Sequence, residues 1–193
     1  MNTTTQTPTV TSTWQILATT QITIRPVTAS HTDLTTLQAI AAESFTATFA
    51  PYNDVRSITE YVVNNYQLPT LQAEVTAPTS ATFFLEGNGQ PLGYLKLNWG
   101  PTQTEPNFPG AIEIQRIYLL PAVWGQGLGH HLMDFALTYA RTHHFNQIWL
   151  GVWQKNERAQ HFYARYGFQP VSTHCFWMGD HEQCDDLLLK ELF

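Results

Sequence analysis

The chain has 193 residues, of which 43% are hydrophobic and only 12% charged, and its formal net charge is -6. That length and apolar content suit one domain with a sizeable core, and nine basic residues in total exclude a general nucleic-acid binder, whose phosphates need clustered cations. No segment approaches the ~20 apolar residues of a membrane span and the N-terminus lacks a basic stretch ahead of an apolar run, so the protein is read as cytoplasmic. Residues 1–20 are dominated by threonine, with little to bury beyond Trp14, Ile16 and Leu17, and predict a mobile or loosely docked tail ahead of a domain at 21–193.

From there the pattern predicts elements in turn. "QITIRPV" alternates Ile22 and Ile24 with polar neighbours and suits a first strand ending at Pro26. Leu34, Leu37, Ile40, Ala41, Phe45 and Phe49 recur at helical spacing with Asp33 in the first turn, so a helix is expected from Thr32 to about Phe49. A second helix is expected from Asp54 to about Tyr66 and a short one over Leu71 to Val75. "ATFFLEGNGQPLGYLKLNW" reads as a hairpin around a Gly-Asn-Gly turn, and 100–110 as a loop. "AIEIQRIYLL" is a strand, followed by glycines and a helix with Leu128, Leu132, Phe135, Ala136 and Tyr139 on one side. "QIWLGVW" is a strand, "NERAQHFYARYGF" a short helix closed by Gly167, and two strands near 172–178 and 185–191 finish the chain.

Within "AIEIQRIYLL" the apolar phase slips. Ile112 and Ile114 share one parity, Ile117 and Leu119 the other. A β-bulge at Gln115–Arg116 does this and splays a strand from its neighbour; a central strand buried on both faces would also tolerate it.

The glycines of "VWGQGLGHH" stand where a helix begins. Helix N-termini leave amides unpaired and carry partial positive charge, and glycine lets an anion approach without a Cβ in the way, so the stretch is chemically a phosphate cradle. A P-loop requires Gly-Lys-Ser/Thr, but His130 follows Gly129; a dinucleotide fingerprint requires GxGxxG and a later acid, but the spacing is GxGxG and "QIWLGVW" has none. Cys175 and Cys184, without CxxC spacing, are expected as reduced thiols. His130 with Asp134, and the pair His143–His144, match no metal-ligand spacing, so no metal is assigned.

"RIYLLPAVWGQGLGHHLM" followed by "WLGVWQKNERAQHFYARYGF" resembles the GNAT superfamily of acetyl-CoA-dependent N-acetyltransferases. Residues 156–168 match its Asn-x-x-Ala-x-x-Phe-Tyr-x-x-x-Gly-Phe motif; in its Gln/Arg-x-x-Gly-x-Gly/Ala motif Gly127 and Gly129 match, but Trp124 stands where Gln or Arg is usual. "ESFTATFAPYND", "GYLKLN" and "FWMGDHEQCDDLLLK" look like the bacterial spermine/spermidine branch. The resemblance covers about Gln21 to the C-terminus. It implies an α+β fold, layered α/β/α, with a mixed, mostly antiparallel seven-stranded sheet splayed between strands 4 and 5 and about four flanking helices.

The resemblance also implies roles. Acetyl-CoA is the co-substrate, its diphosphate held by Gly125, Gln126, Gly127, Leu128, Gly129 and His130, and its pantetheine paired with backbone at Ile117, Tyr118 and Leu119. Tyr163 meets the departing sulfur, and Asn156 caps its helix and touches the cofactor. Lys155, Arg158 and Arg165, clustered among so few cations, suit the phosphates or a solvated helix face. Glu113 is either the general base or an acid facing solvent. Glu43, Asp54 and Glu60 would draw the ammonium groups of a polyamine. The alternatives are an acceptor amine on an amino acid, aminoglycoside or protein, or a non-catalytic acetyl-CoA sensor; a homodimer is admitted, while nucleic acid and membrane are not expected as partners.

Overall fold

The structure, a computed structural model, describes residues 21–178 and 181–193; the expected tail at 1–20 lies outside the described residues. The strands are β1 (Ile22–Pro26), β2 (Ser80–Gly87), β3 (Gln90–Trp99), β4 (Ile112–Leu119), β5 (Gln147–Trp153), β6 (Gln169–Met178) and β7 (His181–Glu191). They form one seven-stranded sheet in the order β1-β2-β3-β4-β5-β7-β6. Neighbours are antiparallel except β4 and β5, which run parallel.

Five α-helices flank it: α1 (His31–Phe49), α2 (Val55–Asn65), α3 (Leu68–Thr76), α4 (Leu128–Thr142) and α5 (Glu157–Arg165). Short polar side chains start three of them by satisfying first-turn amides: Ser30 accepts from the Asp33 N–H, Asp54 from Ser57 and Asn156 from Ala159. The short α3 carries one completely buried apolar side chain, Leu71, which is why its periodicity is faint in the sequence.

The helices divide between the two faces of the sheet. Leu128, Leu132, Met133 and Ala136 of α4, with Tyr163 of α5, pack on Leu95, Leu97, Ile112, Ile114, Ile148 and Leu150. Leu34, Leu37, Ile40 and Phe45 of α1 pack with Ile58 and Leu71 over Phe84 and Tyr94 on the other face. Covered on both sides, the middle of β2 and β3 is buried without alternation.

The parity slip in β4 is a bulge. Lys96 faces Arg116 but Leu97 faces Ile114, so Gln115 is the extra residue. Beyond it β4 bends away from β5, and the two pair only at Ile112–Ile148 and Glu113–Trp149. On its other side β4 stays tight against β3, where a Cβ on Gly93 would collide with the Tyr118 carbonyl.

One expectation is overturned. Cys175 and Cys184 are joined in a disulfide, directly opposite one another across the β6–β7 hairpin with Cα atoms 4.1 Å apart. Residues nine apart meet whenever the hairpin turn falls midway between them, and motif spacing contains no such register information. Among the described residues no helix is long and apolar enough to cross a membrane.

Candidate active site

Where β4 parts from β5, a cleft of about 1540 Å³ opens, lined by residues from both helical layers. At its α4 end the chain turns through Gly125 (φ 77°) and Gly127 (φ 81°), left-handed conformations that residues with a Cβ adopt only at a cost. Nothing lies within 4 Å of where a Cβ would stand at either glycine. Gly127 is also the N-cap of α4 and supplies no side-chain acceptor, so first-turn amides remain available at the rim.

Trp124 turns out to belong to this rim. Its indole N–H donates to the Leu119 carbonyl at 2.9 Å, and its ring carries the Arg158 guanidinium 5.6 Å from the centroid. Arg158, Lys155 and Arg165 all line the cleft, as do Gly125, Gly127, Leu128, Gly129, His130 and Asn156. Gln126 does not; its side-chain amide donates to the Ala122 carbonyl at 3.1 Å. His130 has Nδ1 2.8 Å from the Tyr166 hydroxyl, which donates onward to Asp134 at 2.9 Å.

Deeper in, Ile117, Tyr118 and Leu119 border the gap on the β4 side. Their backbone on that edge lacks a β5 partner, because pairing stops at Glu113. The Tyr118 ring leaves the gap and stacks on Tyr94, 5.9 Å between centroids. Tyr163 also borders the cleft, and burial pushes its phenol well above the usual range.

The α1–α3 side of the cleft is acidic and aromatic. Glu113, 2% exposed, is neither in solvent nor free: it accepts from the Thr104 N–H at 2.9 Å, from the Thr104 hydroxyl, and from the Asn98 amide at 3.3 Å. Burial raises its pKa while those donors oppose the rise. Glu105, next to Thr104, pairs with His174 at 2.8 Å. Asp185 borders the same space, and burial lifts its carboxyl to about 6. Phe49 and Tyr52 pack on Trp153 at 5.3 and 5.0 Å between centroids.

Arg116 borders this side too, but Glu74 holds it bidentately at 2.7 and 3.0 Å and also meets the Lys96 ammonium at 3.1 Å. Burial, and then the neighbouring Arg116 charge, bring Lys96 down to about 8.

Of the carboxylates expected to draw the acceptor, none borders the cleft. Glu43 is exposed on α1, Asp54 is occupied as the cap of α2, and Glu60 pairs with Arg56 at 2.7 Å on the outer face of α2. Helical periodicity marks which face is apolar, and these three lie off it. Asp185, Glu105 and the Glu74 pairing with Lys96 and Arg116 escaped the sequence reading. A signal for Asp185 existed, since it shares parity with buried Leu187 and partly buried Leu189, an acid in phase with apolar side chains.

Fold and cleft together define a transferase that takes an acyl group from coenzyme A. Residues 38–168 match the model of the Acetyltransferase (GNAT) family. An uncharacterized N-acetyltransferase of Lactobacillus delbrueckii subsp. lactis is 37% identical over 88% of this chain and 98% of its own length. An uncharacterized N-acetyltransferase of Mycobacterium tuberculosis is 32% identical over 83% of this chain and 99% of its own. The PaiA N-acetyltransferase of Thermoplasma acidophilum, solved in complex with coenzyme A, superposes with a TM-score of 0.73 at 21% identity, over 89% of this chain and 99% of that one. The chain belongs to the GNAT acetyltransferase family and is an acetyl-CoA-dependent N-acetyltransferase.

Proposed function

We propose that the acceptor is a small primary amine carrying further positive charge, of the polyamine class that includes spermidine and spermine. One observation carries this reading: the cleft is cationic at its glycine end, with Arg158 over Trp124 and with Arg165, and acidic and aromatic at the other, with Glu105, Glu113, Asp185, Phe49, Tyr52 and Trp153, over which the Lys155 ammonium reaches at 5.6 Å. A diphosphate suits the first end and ammonium groups the second. The net charge of -6 favours the same approach.

The residues divide the work accordingly. The amides after Gly127, with Arg158 and Arg165, take the coenzyme's diphosphate. The open edge of β4 at Ile117 and Leu119 pairs with the pantetheine arm as a missing strand would, and its N–H groups polarise the thioester oxygen. Tyr163, kept protonated by burial, donates a hydrogen bond to the departing sulfur. Glu113, which accepts three hydrogen bonds from Thr104 and Asn98, holds Thr104 and thereby sets the position of Glu105; we assign it this positioning role in preference to general base, one of the two roles the sequence left open.

Thiol release from acetyl-CoA, measured with spermidine, spermine, amino acids, aminoglycosides and a lysine peptide, tests the reading. Polyamines should give the highest kcat/KM, and Tyr163→Phe should lower kcat by about 10–100-fold with acetyl-CoA affinity unchanged within about threefold. Preference for a neutral-tailed amine or a peptide would refute the polyamine acceptor; no release with any amine would refute catalysis.

A further inference from the structure

Asp185 combines features shared by no other carboxylate bordering the cleft. It lies in β7 opposite Trp153 of β5 and His174 of β6. Its diagonal neighbour on β5 is Gly151, exposed, where a Cβ would stand 3.4 Å from the Asp185 Oδ2. The glycine therefore leaves the carboxylate an open path to the gap, two residues past the last β4–β5 pair at Trp149. Among the described residues Asp185 has no hydrogen-bond or ion-pair partner. By contrast Glu105 is committed to His174 and Glu113 to Thr104 and Asn98.

A half-buried carboxylate without a partner is costly to keep, and a bound ammonium would relieve that cost. From this geometry we propose that Asp185 receives the ammonium of the acceptor and takes its proton, serving as the base of the acetyl transfer. The proposal rests on the amine-acetyltransferase reading above and names the residue that reading leaves open.

The proton inventory closes. An alkyl ammonium of pKa about 10.4 is only about 0.04% neutral at pH 7, so a base must accept its first proton. The Asp185 carboxylate takes that proton, and the freed lone pair forms the C–N bond at the thioester carbon as the C–S bond breaks. The second N–H proton of the adduct ends on the coenzyme sulfur, to which Tyr163 donates a hydrogen bond. Asp185 then releases its proton to water. One amide, one free thiol and one proton leave per turnover.

The charged and titratable groups around Asp185 are His174 from β6, which favours its anion, Asp186 beside it in β7, which disfavours it, Glu105 behind His174, and Tyr61 from α2. Lys155 follows β5 and borders the same cleft. Burial outweighs them, so the carboxyl titrates near 6 and ionises above it.

The test is the pH profile of kcat/KM for spermidine in the wild type, Asp185→Asn and Asp185→Glu, with acetyl-CoA affinity measured by calorimetry on each. We expect an acidic limb near pH 6 in the wild type, its loss in Asp185→Asn with at least a hundredfold fall in kcat/KM, and partial recovery in Asp185→Glu. Acetyl-CoA affinity should stay within about twofold in all three, which also reports that the variants fold. Gly151→Ala, which sets a methyl group against the carboxylate, provides a second route to the same limb and should move it upward. Full activity in Asp185→Asn with the limb intact would overturn the proposal while sparing the acetyltransferase reading. A wild type inactive with every amine would instead overturn that reading itself.

Discussion

Asp185→Asn should make the protein more stable at neutral pH even as it disables the site. Burial raises this carboxyl from an ordinary 3.8 to about 6, so the folded state holds its proton more tightly than the unfolded chain does. The stabilisation linked to that proton is complete below about 3.8 and is lost as pH rises through about 6. Above that window the folded protein carries a charge it solvates poorly, at a cost of at most ~3 kcal/mol for a shift of about two units. The cleft is open to water, which reduces this to ~1–2 kcal/mol. Asparagine is neutral throughout and escapes the cost. For a chain of this length the gain corresponds to roughly 3–6 °C in the unfolding midpoint. Thermal unfolding of both proteins at pH 7.5 and pH 4.5, with the disulfide intact and no ligand present, would show the difference large at the first pH and small at the second. An equal difference at both, or a variant less stable at pH 7.5, would mean that the carboxylate has a stabilising partner, and the reasoning would fail.

Gly127→Asp should abolish acetyl-CoA binding in calorimetry, because it sets an anion at the diphosphate rim on a backbone with φ of 81°. Gly127→Ala, which meets no neighbouring atom, should lose only what the backbone strain costs, ~1–2 kcal/mol in urea unfolding. Glu74→Gln removes the one anion between Lys96 and Arg116 and should cost ~3–5 kcal/mol in the same assay, as expected when a buried ion network loses a partner. Titration of thiols in the unreduced, denatured protein should find none, and two after reduction; reduction should also lower stability by ~1–3 kcal/mol, the loop closed by Cys175 and Cys184 being short.

Much of this protein was legible in the sequence because the determining forces are local. Period and punctuation placed the strands and helices, since a buried stripe must repeat with the geometry of its own element. The parity slip across Gln115 announced the bulge, and the bulge is what opens the sheet. Glycines ahead of α4, cations around α5 and the Asn156 cap are likewise close in the chain, and the residues of these two stretches expected from the sequence, Gln126 apart, line the cleft in the folded protein.

Tertiary structure alone decided which acids line the part of the cleft proposed for the acceptor. Glu43, Asp54 and Glu60 looked suitable on charge, but the rotation of α1 and α2 about their axes turns them away from the gap. Glu113 looked free, yet Asn98 and Thr104, supplied by β3 and a loop, engage both its oxygens. Asp185 and Glu105, 80 residues apart in sequence, reach one space only after β7 pairs with β5 and the loop before β4 folds back. The disulfide depended on hairpin register in the same way. A sequence records which residues are charged or apolar; whether a charge is solvated, paired or stranded depends on neighbours that only the folded chain brings near.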